Sequence, residues 1–221
     1  MKPNDKILEI GAGTGKYSLY YANKGYNVTA IEYVQQNVDI LKSKIGKNLS
    51  IIVEQGDAVD LSRFKDNSFD LTLSLGPLYH LYNDNDIKKA IEEAIRVTKK
   101  GGIVAIAYLT SDSTMINWGL MHNHLLDGYP KYFDSNFKIQ RLPEGIFSHF
   151  YISEFKELMK NYDVEFLNNV AIDGFSTYVK EKIDSLTKEE FDMWMKYHLS
   201  TCERVDLQGY SDHILYICRK N

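Results

Sequence analysis

Three glycines at alternate positions, Gly11, Gly13 and Gly15, follow the apolar run "KILEI" of residues 6 to 10 and precede a polar, helix-compatible stretch from Lys16. A glycine-rich turn between strand and helix lets the backbone reach positive φ and lets a ligand approach where a Cβ would stand. The helix N-terminus behind it offers unpaired N–H groups. The same residues also suit a tight structural turn. Glu32 ends the second apolar run, about 20 residues on, where a carboxylate can reach a ribose diol, or can simply be a solvated strand end. Asp57 and Ala58 follow the third run in "QGDAVDL", and a Gly-Asp pair is also a frequent turn former. Leu75 and Gly76 turn the chain after the fourth run, and Tyr79, His80 and Tyr82 come next.

A second group of reactive or aromatic side chains lies further along. Trp118, His122, His124, Tyr129 and Tyr132 fall in "NWGLMHNHLLDGYPKYF", and His213 precedes the last apolar run. His80 is the leading acceptor-side residue because it follows the turn after the fourth run; it can line a site or act as a general base, with Tyr79 beside it. Trp118, Tyr129 and Tyr132 fit simple packing as well as an aromatic acceptor pocket. The pair His122 and His124 has no third ligand at a supporting spacing, so no metal is expected. Cys202 and Cys218 lie in no CxxC or Cys/His pattern and read as packing residues in a reducing compartment.

The elements that must position these residues alternate in type. The runs "KILEI", "NVTAIEY", "LSIIVEQ", "FDLTLSL" and "GGIVAIAYL" are nearly continuous rather than alternating, as parallel strands buried on both faces should be. Between the last two, Ile87, Ala90, Ile91, Ala94 and Ile95 form one helical stripe, with Gly101 placed to end the helix. This rhythm predicts a doubly wound, mostly parallel α/β sheet whose ligands sit at the carboxyl ends of the strands. After residue 109 the rhythm changes, and about 110–150 reads as an inserted helical cap and candidate lid within one domain of residues 1–221. A helix started by Ser153, a strand near 163–171, a helix capped by Thr187 with Glu190 three residues on, and a closing strand "DHILYICRK" complete the chain.

Composition weighs against several classes of function. A net charge of −4 without a Lys/Arg-rich block leaves no electrostatic footprint for nucleic acid. No apolar stretch approaches the roughly 18–20 residues of a membrane span, and the N-terminus lacks a signal-peptide layout, so a cytoplasmic protein is expected. The dinucleotide fingerprint GxGxxG needs a glycine at position 16, where Lys16 stands, which weighs against an NAD-type oxidoreductase.

Taken together, "LEIGAGTG", Glu32, "GDAVDL" and "FDLTLSLGPLYHL" resemble the class I S-adenosylmethionine (SAM) dependent methyltransferases of the group acting mainly on small molecules. The resemblance covers most of residues 6 to 109, and "DHILYICRK" is similar to that family's antiparallel closing strand, giving a seven-stranded sheet. It implies SAM as cofactor, S-adenosylhomocysteine as product and a small-molecule methyl acceptor. By resemblance Gly11, Ala12, Gly13 and Gly15, with Glu9 nearby, lie against the methionine part of SAM. Glu32, with Tyr33 beside it, takes the ribose hydroxyls, Asp57 and Ala58 flank the adenine, and Leu75 and Gly76 border the methyl group. Tyr82, Trp118, His122 and His213 then stand on the acceptor side. Members of the family carry a longer lead-in before the first strand. The insertion or a second subunit in a homo-oligomer is therefore expected to supply that cover, unless the chain is a truncated product or a catalytically silent SAM-binding protein.

Overall fold

A computed structural model describes residues 2, 4–128, 131–143, 145 and 147–221; Tyr129 lies outside the described residues. The chain forms two compact units. The first holds residues 1–107, 162–167 and 217–221, and the second holds 108–161 and 168–216.

The first unit is built from β1 (Lys6–Ile10), α1 (Lys16–Asn23), β2 (Asn27–Glu32), α2 (Gln35–Ser43), β3 (Ile51–Gln55), β4 (Phe69–Ser74), α3 (Asp84–Val97) and β5 (Thr98–Thr110), whose last residues pass into the second unit. Ile7, Leu8 and Ile10 of β1 are fully buried, as a continuous apolar run in a central strand requires. β1 pairs in parallel with β2, from Lys6↔Asn27 to Ile10↔Ile31, and with β4, from Ile7↔Leu71 to Ile10↔Ser74. β2 pairs in parallel with β3, and β4 with β5. On α3 the predicted stripe is buried at Ile87, Ala90, Ile91 and Ala94, while Ile95 is only half-buried. Asn83 caps this helix by accepting from the Asp86 N–H at 2.8 Å. Gly101 does not end α3. The helix stops at Val97, and Thr98 opens β5, its hydroxyl donating to the Ala94 carbonyl at 2.7 Å. A β-branched residue at that point turns the chain into the sheet, and Gly101 falls within the strand, where the β4–β5 register shifts between Phe69 and Leu71.

The second unit contains α4 (Ser111–Thr114), a π-helical turn at Met115–Met121, α5 (Leu125–Gly128), β6 (His149–Phe150), α6 (Ile152–Met159), most of β7 (Val164–Ala171), α7 (Lys180–Asp184), α8 (Lys188–Thr201) and the first half of β8 (His213–Lys220). The inserted segment is thus helical only in short pieces. Ser153 does not start α6, which begins at Ile152 after Tyr151; the Tyr151 N–H donates to Glu154 Oε2 at 3.3 Å, and Lys138 and Arg141 pair with the same carboxylate. The predicted cap of α8 forms: Thr187 Oγ1 accepts from the Glu190 N–H while Glu190 Oε2 accepts from the Thr187 N–H. Tyr108 stacks on Phe155 at 4.1 Å, with Phe150 and Tyr216 edge-on to the same cluster.

Among the described residues the strand order is β3-β2-β1-β4-β5-β8-β7, with β6 pairing in parallel with the end of β5. β8 begins opposite Thr110 and ends beside Thr98, so it runs against β5. This is the mostly parallel sheet with one antiparallel closing strand that the sequence predicts, but with eight strands rather than seven, because the two-residue β6 adds to the end of β5. The order reverses between β1 and β4, the place where such sheets bind ligands.

Candidate functional site

The three glycines between β1 and α1 serve different ends. All have positive φ: +74° at Gly11, +54° at Gly13 and +88° at Gly15. The Gly11 and Ala12 amides both donate to the Ile31 carbonyl, at 2.8 and 3.0 Å, which fastens the turn to β2. A Cβ on Gly15 would stand 2.0 Å from Leu41 Cδ1, so that glycine lets α1 and α2 pack. A Cβ on Gly13 would meet no protein atom within 4 Å. The middle glycine therefore faces open space, on the edge where strand order reverses.

Glu32 closes on this turn. Its Oε2 accepts from the Gly13 amide at 2.8 Å, and its Oε1 accepts from the Val34 N–H at 3.0 Å and from Asn37 Nδ2 at 3.3 Å. The residue is buried. A carboxylate has about four acceptor sites, so these three donors orient the group and leave capacity for a ligand hydroxyl. Glu9 lies deeper, 2% exposed, and accepts from the Ser18 hydroxyl. Burial pushes the Glu9 carboxyl up to about 7; the Ser18 hydrogen bonds oppose the rise and the Glu32 charge adds to it. Glu9 holds its proton more tightly than an ordinary carboxylate, so near neutral pH the floor of the turn holds less negative charge than its two glutamates suggest.

On the flanks, Asp57 accepts from the Val59 N–H at 3.1 Å and its carbonyl from the Asp60 N–H, so it shapes the turn after β3 as well as standing at its rim. Ala58 beside it is buried. The Tyr33 side chain is exposed, and its carbonyl accepts from Gln55 Nε2 at 3.0 Å. After β4, Leu75 and Gly76 lead into a 3-10 turn at Pro77–His80, in which Tyr79 N–H donates to the Gly76 carbonyl; Tyr79 and Tyr82 are half-buried and His80 is exposed. All these residues, from Glu9 to Tyr82, belong to the first unit.

The remaining acceptor-side candidates lie in the second unit. Trp118 stacks on His124 at 4.5 Å, lies edge-on to Tyr132 and covers Gly128, which places it in a packed aromatic group. His122 is exposed, its Nδ1 bonded to the Asn117 carbonyl, and His124 pairs with Asp127. His213 is held by Asp173 at 2.6 Å, a pairing across 40 positions that no local pattern announces. Ser18, Asn37 and Asp173, the hydrogen-bond partners of Glu9, Glu32 and His213, are not singled out by the sequence. Among the described residues no group of three or more His, Cys, Asp or Glu could hold a metal ion, and no helix is long and apolar enough to cross a membrane.

The methyltransferase domain family matches residues 8–106, which spans the glycine turn, Glu32, the Asp57 turn and β4. Over those residues, a little under half of the chain, it is similar to the methyltransferase domain family. Over 106 residues it is 40% identical to a demethylmenaquinone methyltransferase of Renibacterium salmoninarum, an alignment covering 48% of this chain and 41% of that one. The chain thus spans less than half the length of that relative. It is 31% identical to an uncharacterised protein of Methanocaldococcus jannaschii over 82% of this chain and 84% of the other. A solved SAM-dependent methyltransferase of Methanosarcina mazei shares the fold with a TM-score of 0.66 at 21% identity, covering 100% of this chain and 94% of that one. The methyltransferase fold therefore extends beyond the matched family segment.

Proposed function

We propose that this chain binds SAM against the Gly11–Gly15 turn and transfers its methyl group to a small-molecule acceptor. The observation that carries the reading is the open face of Gly13 bordered by the buried Glu32 carboxylate at the β1/β4 reversal. SAM, when bound, supplies a sulfonium methyl already activated for displacement. The chain's own residues then have a limited task. Gly11, Ala12 and Gly13 let a ligand lie against the backbone, Glu32 accepts from the ribose hydroxyls, and Asp57 and Ala58 flank the adenine. Tyr33 borders the ribose side, while Leu75 and Gly76 border the methyl group. Within the first unit, exclusion of water and alignment of the acceptor fall to Tyr79, His80 and Tyr82.

Relatives named for demethylmenaquinone support a small-molecule acceptor. The family match stops at residue 106, before the second unit, so the quinone itself is not carried over. We read residues 1–221 as one methyltransferase domain in which about 110–150 is the insertion, and as a cytoplasmic protein, supported by the buried, unbridged Cys202 and Cys218. The test is transfer of labelled methyl from SAM into a small-metabolite extract. Protein-dependent labelling that disappears with Glu32→Ala is expected. Tight binding of S-adenosylhomocysteine with no labelled product would count against catalysis and for a silent binder.

A further inference from the structure

The buried side-chain polar atoms that complete no hydrogen bond among the described residues fall in the second unit, and two of them, the Tyr178 hydroxyl and Asp212 Oδ1, share one neighbourhood. Tyr178 is 8% exposed, while Asp212 is half-buried and stays partly open to solvent. The backbone around them is firmly held. The Asp212 carbonyl accepts from the Thr110 N–H at 2.9 Å and the Ser211 carbonyl from the Thr110 hydroxyl at 2.7 Å, which fixes this segment to the end of β5. Ser211 Oγ accepts from the amides of Asp173 and Gly174, which fixes the start of the loop leading to Tyr178. α4 packs against the 3-10 turn at Gln208–Tyr210, and the π-helical turn packs against the 3-10 turn at Ser176–Val179.

The charge in this corner has one sign. Burial pushes the Tyr178 hydroxyl well above the usual tyrosine range, and the charges of Asp212 and Asp112 add to the rise. The Ser113 hydroxyl beside it opposes that rise but is committed to Thr110, accepting from its hydroxyl at 2.8 Å and donating to its carbonyl at 3.2 Å. Among the described residues neither the Asp112 nor the Asp212 carboxylate joins an ion pair or a hydrogen bond. The imidazole of His213 feels the Asp212 charge, but its Nδ1 is bonded to Asp173 at 2.6 Å. A half-buried carboxylate without a counter-ion, next to a buried hydroxyl without a partner, costs free energy that a cationic ligand with N–H donors recovers. An ammonium group has up to three such donors. Aromatic surface lies alongside: the Phe175 ring is 5.1 Å from that of Tyr178, and both Phe175 and Tyr210 are exposed. Rings of this kind attract a cation and pack against an aryl or apolar body.

We propose that Asp212 and Tyr178 form the recognition point of a binding site, contained in the second unit, for a primary ammonium group carried on an aromatic or apolar body. The ammonium N–H groups donate to the Asp212 carboxylate and to the Tyr178 hydroxyl oxygen. Asp112 adds charge at longer range, and Phe175 and Tyr210 cover the body of the ligand. The site stands on the second unit alone and does not depend on the cofactor reading above.

The test is an NMR titration of the full chain with phenethylamine hydrochloride, compared with its neutral counterpart 2-phenylethanol and with the phenethyltrimethylammonium salt, which keeps the charge but has no N–H. Phenethylamine should bind saturably and shift the ring signals of Tyr178 and Phe175, and the other two compounds should bind about tenfold more weakly or less. Asp212→Asn should weaken phenethylamine about tenfold and Tyr178→Phe about threefold. Thermal unfolding of the ligand-free chain gives a second readout. Because Asp212→Asn removes a charge that has no partner, it should leave Tm unchanged or raise it, whereas a carboxylate needed for the fold would lower it. Absence of phenethylamine binding to the wild type would overturn the proposal. So would equal binding of the alcohol or the quaternary salt, unchanged affinity in Asp212→Asn, or a lower Tm in that variant. Should Asp212→Asn fail to fold, that too counts against an unpaired carboxylate, and Tyr178→Phe with the alcohol comparison still decides whether the amine is recognised here.

Discussion

The Glu32 carboxylate at the end of β2 accepts the Gly13 amide at 2.8 Å, which joins the acid proposed for the ribose to the middle glycine proposed for the methionine part. One side chain thus both shapes the turn and faces the ligand. Replacing Glu32 by Ala strands three donors, Gly13 N–H, Val34 N–H and Asn37 Nδ2, in a largely buried setting. Hydrogen bonds to a charged group contribute about 1.5–3 kcal/mol each. Calorimetry should therefore show S-adenosylhomocysteine affinity falling by tenfold or more. Glu32→Gln, which keeps the shape and loses the charge, should fall less. Unchanged affinity in both variants would separate Glu32 from the ligand.

The glycines should respond differently to one added methyl. Gly13→Ala places its Cβ in open space at φ +54°, so the cost to the fold is the backbone strain of about 1–2 kcal/mol, while ligand binding is blocked. Gly15→Ala drives a Cβ to 2.0 Å from Leu41 Cδ1 at φ +88°, adding about 1–3 kcal/mol of overpacking to the same strain. Denaturant unfolding should rank Gly15→Ala as the less stable variant. The opposite rank would contradict the division of labour between the two positions.

Glu9 makes stability depend on pH in an unusual direction for a carboxylate. Its folded pKa, about 7, lies above the usual glutamate value of 4.5, so the folded state binds the proton more tightly than the unfolded one. That contribution is fully present below about 4.5 and is lost as pH rises through about 7, amounting to a few kcal/mol at most. Glu9→Gln should flatten the loss of stability between those values. A wild-type curve that rises across the same window, with Glu9→Gln unchanged, would refute the assignment.

His149 acts in the opposite sense. Burial depresses its folded pKa to about 4 from 6.5, so the unfolded state binds more protons between those values. The stability it contributes is present above about 6.5 and is lost as pH falls toward 4. His149→Leu also removes a buried Nδ1 without a partner, so it should be close to neutral at pH 8 and more acid-resistant than wild type. Greater acid sensitivity in His149→Leu would show that the neutral ring is not what acid attacks.

How much of this was legible in the sequence depended on range. β1, β2 and β4 were readable because strands buried on both faces are continuous apolar runs, and the cap of α8 because Thr187 and Glu190 lie three residues apart. The turns proposed for the cofactor were readable as turns because their glycines, Glu32 and Asp57 recur at the ends of successive strands. The end of α3 was misplaced because Gly101 looks like a helix stop, whereas pairing of Thr98 with the sheet had already claimed the chain. The start of α6 was misread because Ser153 has a cap's chemistry, while the Tyr151 N–H finds Glu154. The second unit stayed dark. The pairing of Asp173 with His213 joins residues that share no local pattern, and the packing of Trp118 onto His124 depends on an irregular helical turn that periodicity does not encode.

The most direct measurement is thermal unfolding with S-adenosylhomocysteine and, separately, with NAD. S-adenosylhomocysteine keeps the adenosine and amino-acid ends that the turn at Gly11–Gly15 and Glu32 should hold. At about 100 times its dissociation constant a ligand contributes roughly 2.7 kcal/mol. For a chain of this size that is a rise of about 5–10 °C in Tm. The account predicts that rise with S-adenosylhomocysteine, its loss in Gly13→Val, and no shift with NAD. A rise with NAD and none with S-adenosylhomocysteine would contradict it.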